Sequence, residues 1–142
     1  MGRADLVTAG LSALTWLVGI QRAADGHFAP VGTNGFAARG GDAARFDQQP
    51  IEAATTVAAC LEAEGVTRDP IWQTHARSAF DWFLGQNHLD RWLYDPSTGG
   101  CRDGLHAERA NENQGAESTL AFLLALVDVR GLDRPAGRPT RG

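Results

Sequence analysis

The sequence predicts an all-α protein, an antiparallel helix-hairpin repeat with about four main helices. Three observations predict it. Four stretches are apolar at helical spacing or apolar throughout. Pro, Gly and Asp stand where helices begin and end. The two halves of the chain also match. Trp16-Leu17-Val18-Gly19 corresponds to Trp82-Phe83-Leu84-Gly85, and Gln49-Pro50-Ile51-Glu52-Ala53 to Gln114-Gly115-Ala116-Glu117-Ser118. Repeated helix pairs stack as a solenoid or a toroid.

The first helix is predicted over residues 4–23. Val7, Leu11, Leu14 and Val18 form one stripe, widened by Trp16 and Leu17, and Asp25-Gly26 stops it. The second runs from Pro50, which suits a first helical position, to about Glu64, with Gly65 closing it. The third runs from Asp69, its cap, to Asn87, with Trp72, Ala76, Ala79, Phe80 and Phe83 on one side. The fourth runs from Gln114 to Arg130 and contains the run TLAFLLALV, apolar on every side. A helix apolar all round is buried and a striped one lies at the surface, so helices two and four are expected inside and one and three outside. Residues 1–130 form the helical domain, and residues 131–142, rich in Arg, Pro and Gly, a flexible tail.

At 142 residues the chain is one domain's worth. Its net charge is −4, and four arginines against one aspartate in residues 130–142 leave the rest more acidic still. An acidic body argues against a nucleic-acid partner, which needs clustered positive charge. The apolar run Leu11–Ile20 is too short to span a membrane and reads as a packed helix, so no membrane partner is expected. Two cysteines, Cys60 and Cys101, make no disulfide framework, which predicts reduced thiols and a cytoplasmic setting.

The short link at 65–68 makes its helices antiparallel, which places the long loops 24–49 and 88–113 at the same end. Loops this long are uncommon in a compact domain unless they act. The first carries His27, Asn34, Arg39, Arg45, Asp47, Gln48 and Gln49; the second carries Tyr94, Asp95, Asp103, His106, Asn111, Asn113 and Gln114. Amides, carboxylates and guanidinium groups offer directional hydrogen bonds to sugar hydroxyls. Phe36, Trp92 and Tyr94 can stack on a sugar face. Asp47, Glu52, Asp103 and Glu117 are the candidate catalytic carboxylates; acid and base on a glycosidic bond stand roughly 6.5–9.5 Å apart in inverting enzymes.

Each has a structural alternative. A glutamate in the first turn caps a helix and suits its dipole. Asp47 can tie down the loop before Pro50, and Asp95-Pro96-Ser97-Thr98-Gly99-Gly100 is a turn by composition. His75 reads as packing. His27, His88 and His106 lack metal-ligand spacing, Cys101 lacks a partnered histidine, and no phosphate loop or dinucleotide fingerprint occurs. Neither a metal nor a cofactor is expected.

The strings RFDQQPIEA (45–53), FDWFLGQN (80–87), LYDPSTGGCRDGL (93–105) and NENQGAESTLAFLLAL (111–126) resemble the C-terminal part of a bacterial helical domain found beside, or fused to, GT-B glycosyltransferases. That domain is similar to the six-hairpin (α/α) toroids of many glycosidases. The resemblance spans residues 4–130. It implies a partial (α/α) toroid, a glycan ligand and a glycosyltransferase partner. It supplies no catalytic assignment. Four helices are about a third of a ring, so exposed apolar flanks and a homo-oligomer are expected. Three functions follow: a carbohydrate-binding or carbohydrate-processing module beside a glycosyltransferase; a glycosidase-like hydrolase with paired carboxylates; or an assembly protein without catalysis.

Overall fold

The computed structural model describes residues 2–38 and 40–133. It is mostly helical: α1 (Arg3–Ile20), α2 (Pro50–Thr67), α3 (Ile71–Asp81) and α4 (Ala116–Leu132). One small antiparallel hairpin, β1 (Gly104–Leu105) with β2 (Ala110–Asn111), lies in the second loop. Of the predicted tail, Gly131 and Leu132 belong to α4, and residues 134–142 lie outside the described residues.

α2 is the centre, packing against both α3 and α4. It buries Ala53, Ala54, Thr56, Val57, Cys60 and Ala63, small residues that let its neighbours approach closely. It runs past Gly65 and ends where Arg68 turns left-handed (φ 60°) and donates its N–H to the Glu64 carbonyl at 2.7 Å. The Asp69 carboxylate then accepts the Ile71 N–H at 3.0 Å and opens α3. Between α3, α4 and the second loop lies an aromatic cluster. Phe122 stacks on Phe80 at 5.9 Å and on Tyr94 at 4.5 Å, and meets Phe83 edge-on at 5.5 Å.

Several boundaries differ from the expectation, for physical reasons. α3 stops at Asp81 and not at Asn87. Trp82 and Phe83 are both fully buried, and leaving the helix lets these sequence neighbours enter the core together. Gly85 makes the turn at φ +103°, a region where a side chain is strained. Asn87 staples the result, its amide donating to the Trp82 and Arg91 carbonyls at 2.8 and 2.7 Å. The matched Trp-x-x-Gly strings therefore adopt different conformations. Trp16 and Gly19 lie within α1, and Trp16 is exposed. The Gln-x-x-Glu strings also slip by one, because α2 starts at Pro50 and α4 only at Ala116.

α4 is not buried all round. Ser118, Ala121, Phe122, Ala125 and Val129 face inward, while Leu120, Leu123, Leu124 and Val127 form an exposed apolar stripe. α1 buries no residue fully; Leu11, Leu14 and Val18 are half-buried against the core. An apolar cleft of about 290 Å3 remains between Val7, Leu11 and Leu14 of α1 and Ala59, Ala63 and Val66 of α2. At 18 residues, α1 is also long and apolar enough to cross a membrane by length and composition, a test that core helices and signal sequences meet as well. The short-run argument from Leu11–Ile20 therefore does not hold for the helix as formed.

Candidate functional site

The two long loops meet, as their placement at one end requires. Gln48 and Leu105 exchange both backbone hydrogen bonds at 2.9 Å, so the first loop adds a rung to the β1–β2 hairpin of the second. The approach is close enough to exclude a side chain at Gly104, where an added methyl would meet the Gln48 carbonyl at 2.7 Å. Gly32 plays the same part inside the first loop. Its N–H donates to the Ala44 carbonyl at 2.7 Å, and a methyl there would overlap the Phe46 backbone.

The fully buried Gln48 side chain is the knot of this junction. Its Oε1 accepts the Trp82 indole N–H at 2.8 Å. Its Nε2 donates to the Arg45 carbonyl at 2.9 Å and lies 3.2 Å from His88 Nδ1. His88 in turn stands 3.4 Å from His27 Nε2, and His27 Nδ1 is 2.6 Å from the Asp25 carboxylate. Burial, and then the nearby His27, hold the His88 pKa below the usual histidine range. Arg45 is exposed and shares a cavity wall with His88.

Of the four candidate carboxylates, two are committed to structure. Asp103 accepts the Gly115 N–H at 2.7 Å at the start of α4 and is bonded by the Asn113 amide. The Ser118 hydroxyl, with these donors, holds its carboxyl below the usual range against the opposing effect of partial burial. Asp47 lies 2.6 Å from His106 Nδ1, a second tie between the loops. Glu117 is exposed in the first turn of α4. Glu52 is different. It is half-buried, makes no side-chain hydrogen bond or ion pair among the described residues, and burial raises its pKa.

The expected sugar-binding residues separate in the same way. Asp95 bonds the Ser97 hydroxyl at 2.6 Å and backbone N–H at 2.9 Å, which pull its pKa down to about 2. Gln114 joins that turn to α4, donating to Asp95 at 3.1 Å and accepting from the Thr98 hydroxyl at 2.7 Å. Asn111 accepts the Asn113 N–H at 3.1 Å. Tyr94 is stacked on Phe122 in the core, which removes its flat face from any sugar. Gln49 precedes the first residue of α2 and makes no side-chain cap. Arg39 lies outside the described residues.

Glu52 lines a groove of about 310 Å3 with Trp16, Leu17, Ile20, Val31 and Phe36. Trp16 is 60% and Phe36 63% exposed. Phe36 is one of the aromatics expected on a sugar face, but spacing in the sequence did not bring Trp16 to it, because Trp16 reads as one residue of a packing stripe. Its signal was the amphipathic mismatch of a tryptophan on the flank of an otherwise aliphatic stripe.

No known family model matches this chain, and no curated protein is significantly similar to it. Among the described residues no three His, Cys, Asp or Glu side chains converge as metal ligands. Both cysteines are buried and free, and burial pushes the Cys60 thiol up to about 11 and the Cys101 thiol to about 12. Thiols in that state are poor nucleophiles at neutral pH.

Proposed function

We propose that this chain is a carbohydrate-binding helical module that works beside a glycosyltransferase. The observation that carries it is the Trp16–Phe36–Glu52 groove, where two exposed aromatic faces flank a half-buried carboxylate with no partner among the described residues. Aromatic rings take the apolar face of a pyranose, and a lone carboxylate accepts from its hydroxyls. The carbohydrate and glycosyltransferase context rests on the resemblance of the strings at 45–53 and 111–126.

Binding is favoured over hydrolysis. Inverting or retaining cleavage needs two free carboxylates across the bond; Asp103 and Asp47 are engaged elsewhere, and Glu117 does not line the groove that holds Glu52. The hydrolase reading keeps one supporting feature, the raised pKa of Glu52, which is what a general acid requires.

The partial (α/α) toroid and the homo-oligomer belong to the same proposal. The α4 stripe of Leu120, Leu123, Leu124 and Val127 is the flank an incomplete ring leaves open, and a second copy covers it. Light scattering then reports a dimer or larger, which Leu124→Glu reduces to a monomer.

A glycan array probed with the intact chain tests the function. Binding to a defined set of oligosaccharides, lost in Trp16→Ala and Phe36→Ala, is expected. An array with no bound glycan contradicts the reading, and product release reduced by Glu52→Gln would turn it to hydrolysis.

A further inference from the structure

Ile71, Thr74, His75 and Ser78 share one face of α3, being spaced three and four residues apart. Together with Gln21 and Arg22 at the end of α1 and Thr56 of α2, that face lines a cavity of about 140 Å3. The volume is roughly ten times what one water needs. On the α1 side a tight turn fixes the chain. The Gly26 N–H donates to the Ala23 carbonyl at 2.9 Å, and the Ala29 N–H to the Gln21 carbonyl at 2.8 Å. Gly26 takes φ +97°, and the Arg22 guanidinium lies 3.4 Å from where a side chain there would begin.

Several hydrogen-bonding groups in this lining have no partner. Helical hydroxyls ordinarily donate to a carbonyl one turn back, as Thr8, Thr15, Thr55, Thr56 and Thr67 do. Among the described residues the Thr74 and Ser78 hydroxyls and the His75 ring make no hydrogen bond, and the Arg22 side chain makes neither a hydrogen bond nor an ion pair. The Gln21 side chain is 3% exposed and meets only the Thr56 hydroxyl, at 3.3 Å. One end of its amide is left to this cavity and the Glu52 groove, both of which it lines. Among the described residues no carboxylate lines the cavity; Asp25 lines the adjoining one and lies 2.6 Å from His27 Nδ1.

We propose that this cavity binds a small oxyanion, a carboxylate or a phosphate, on the Arg22 guanidinium, with Thr74, His75 and Ser78 donating to its oxygens. A guanidinium grips carboxylate and phosphate oxygens in pairs, through charge-assisted hydrogen bonds. Hydroxyls and a neutral imidazole each supply one further donor. Burial, and then the nearby Arg22, hold the His75 pKa below the usual histidine range, as a cation facing an empty cavity does. The proposal stands independently of the sugar reading, because Trp16, Phe36 and Glu52 line the groove and not this cavity.

Isothermal titration of the intact chain with inorganic phosphate, and separately with acetate, at constant ionic strength tests it. One site per chain is expected for at least one of the two; phosphate alone assigns a phosphate ligand and acetate alone a carboxylate. Arg22→Met weakens the binding about 10–100-fold, and Ser78→Ala and His75→Ala about 2–10-fold each. Arg77→Met, which removes an exposed arginine paired with Asp133, leaves it unchanged and separates the cavity from general attraction to positive charge. Trp16→Ala also leaves it unchanged, so a failure of the sugar reading is told apart from a failure here. Circular dichroism checks that each variant folds; if the His75 variant does not, the exposed Arg22 decides. No saturable heat with either anion, or equal affinity in the parent and Arg22→Met chains, overturns the proposal.

Discussion

Replacing Gln48 by Met removes the side chain that joins both loops to α3's end while keeping the volume. Gln48 is fully buried, and so is Trp82, whose indole N–H has Gln48 as its acceptor at 2.8 Å. Leaving that N–H unsatisfied costs about 1–3 kcal/mol, and the lost bonds to Arg45 and His88 add about 0.5–1.5 kcal/mol each. The sum is about 2–6 kcal/mol. For a chain of this size each kcal/mol lowers Tm by roughly 3–4 °C, so a fall of at least ~6 °C is expected. Urea denaturation followed by circular dichroism measures the free energy, and the double variant Gln48→Met/Trp82→Phe measures the pair. Because the double variant removes both the acceptor and the orphaned donor, it should lose less than the two single losses added together. A Gln48→Met chain within ~0.5 kcal/mol of the parent would refute the buried knot.

Gly32→Ala should destabilise by about 1–3 kcal/mol, because the new methyl overlaps the Phe46 backbone and forces the loop to shift; the same denaturation experiment reads it. Glu52→Gln should stabilise the chain at pH 7. The folded-state pKa of Glu52 is raised by burial, so its charged form opposes folding above that pKa. The advantage of Gln fades as pH falls through the raised pKa toward the ordinary glutamate value of about 4.3, and Tm against pH for both chains shows the convergence. An advantage that grows with acidity would reverse the sign of the argument. Cys60 and Cys101, with thiols up to about 11 and about 12, should resist a disulfide reagent at pH 8 until the chain is unfolded; two fast native equivalents would contradict their burial.

Local chemistry was legible in the sequence. Pro50 starts α2 as its fixed φ and missing N–H suggest, whereas α3 begins one residue later than expected, at Ile71 with Pro70 in the cap position and Asp69 accepting the Ile71 N–H from just outside it. The convergence of the two loops followed from one short and two long links, and Gln48 and Leu105 pair across it. What distant parts of the chain do to a local pattern was not legible. Trp82 and Phe83 continue α3's periodicity, yet burying both draws the chain out of the helix. The run TLAFLLALV has no polar face from which to read that Leu120, Leu123, Leu124 and Val127 are left uncovered. The same limit governed the site. Polar loop residues look alike in sequence, so Asp95, Asp103, Asn113 and Gln114, which staple turns, could not be told from Glu52, which is unpartnered among the described residues. His27 and His88 have no telling spacing because different loops deliver them.

The central claim, that Trp16 and Phe36 present a sugar-binding face, is tested most directly by the tryptophan indole N–H signals in a proton–nitrogen NMR spectrum. The chain has four tryptophans, of which Trp16 and Trp92 are exposed and Trp72 and Trp82 are buried. Titration with the oligosaccharides that bind on the array should move the Trp16 signal and leave Trp82 in place. Saturating sugar that leaves Trp16 unmoved, or moves Trp92 alone, would contradict the assignment of the groove.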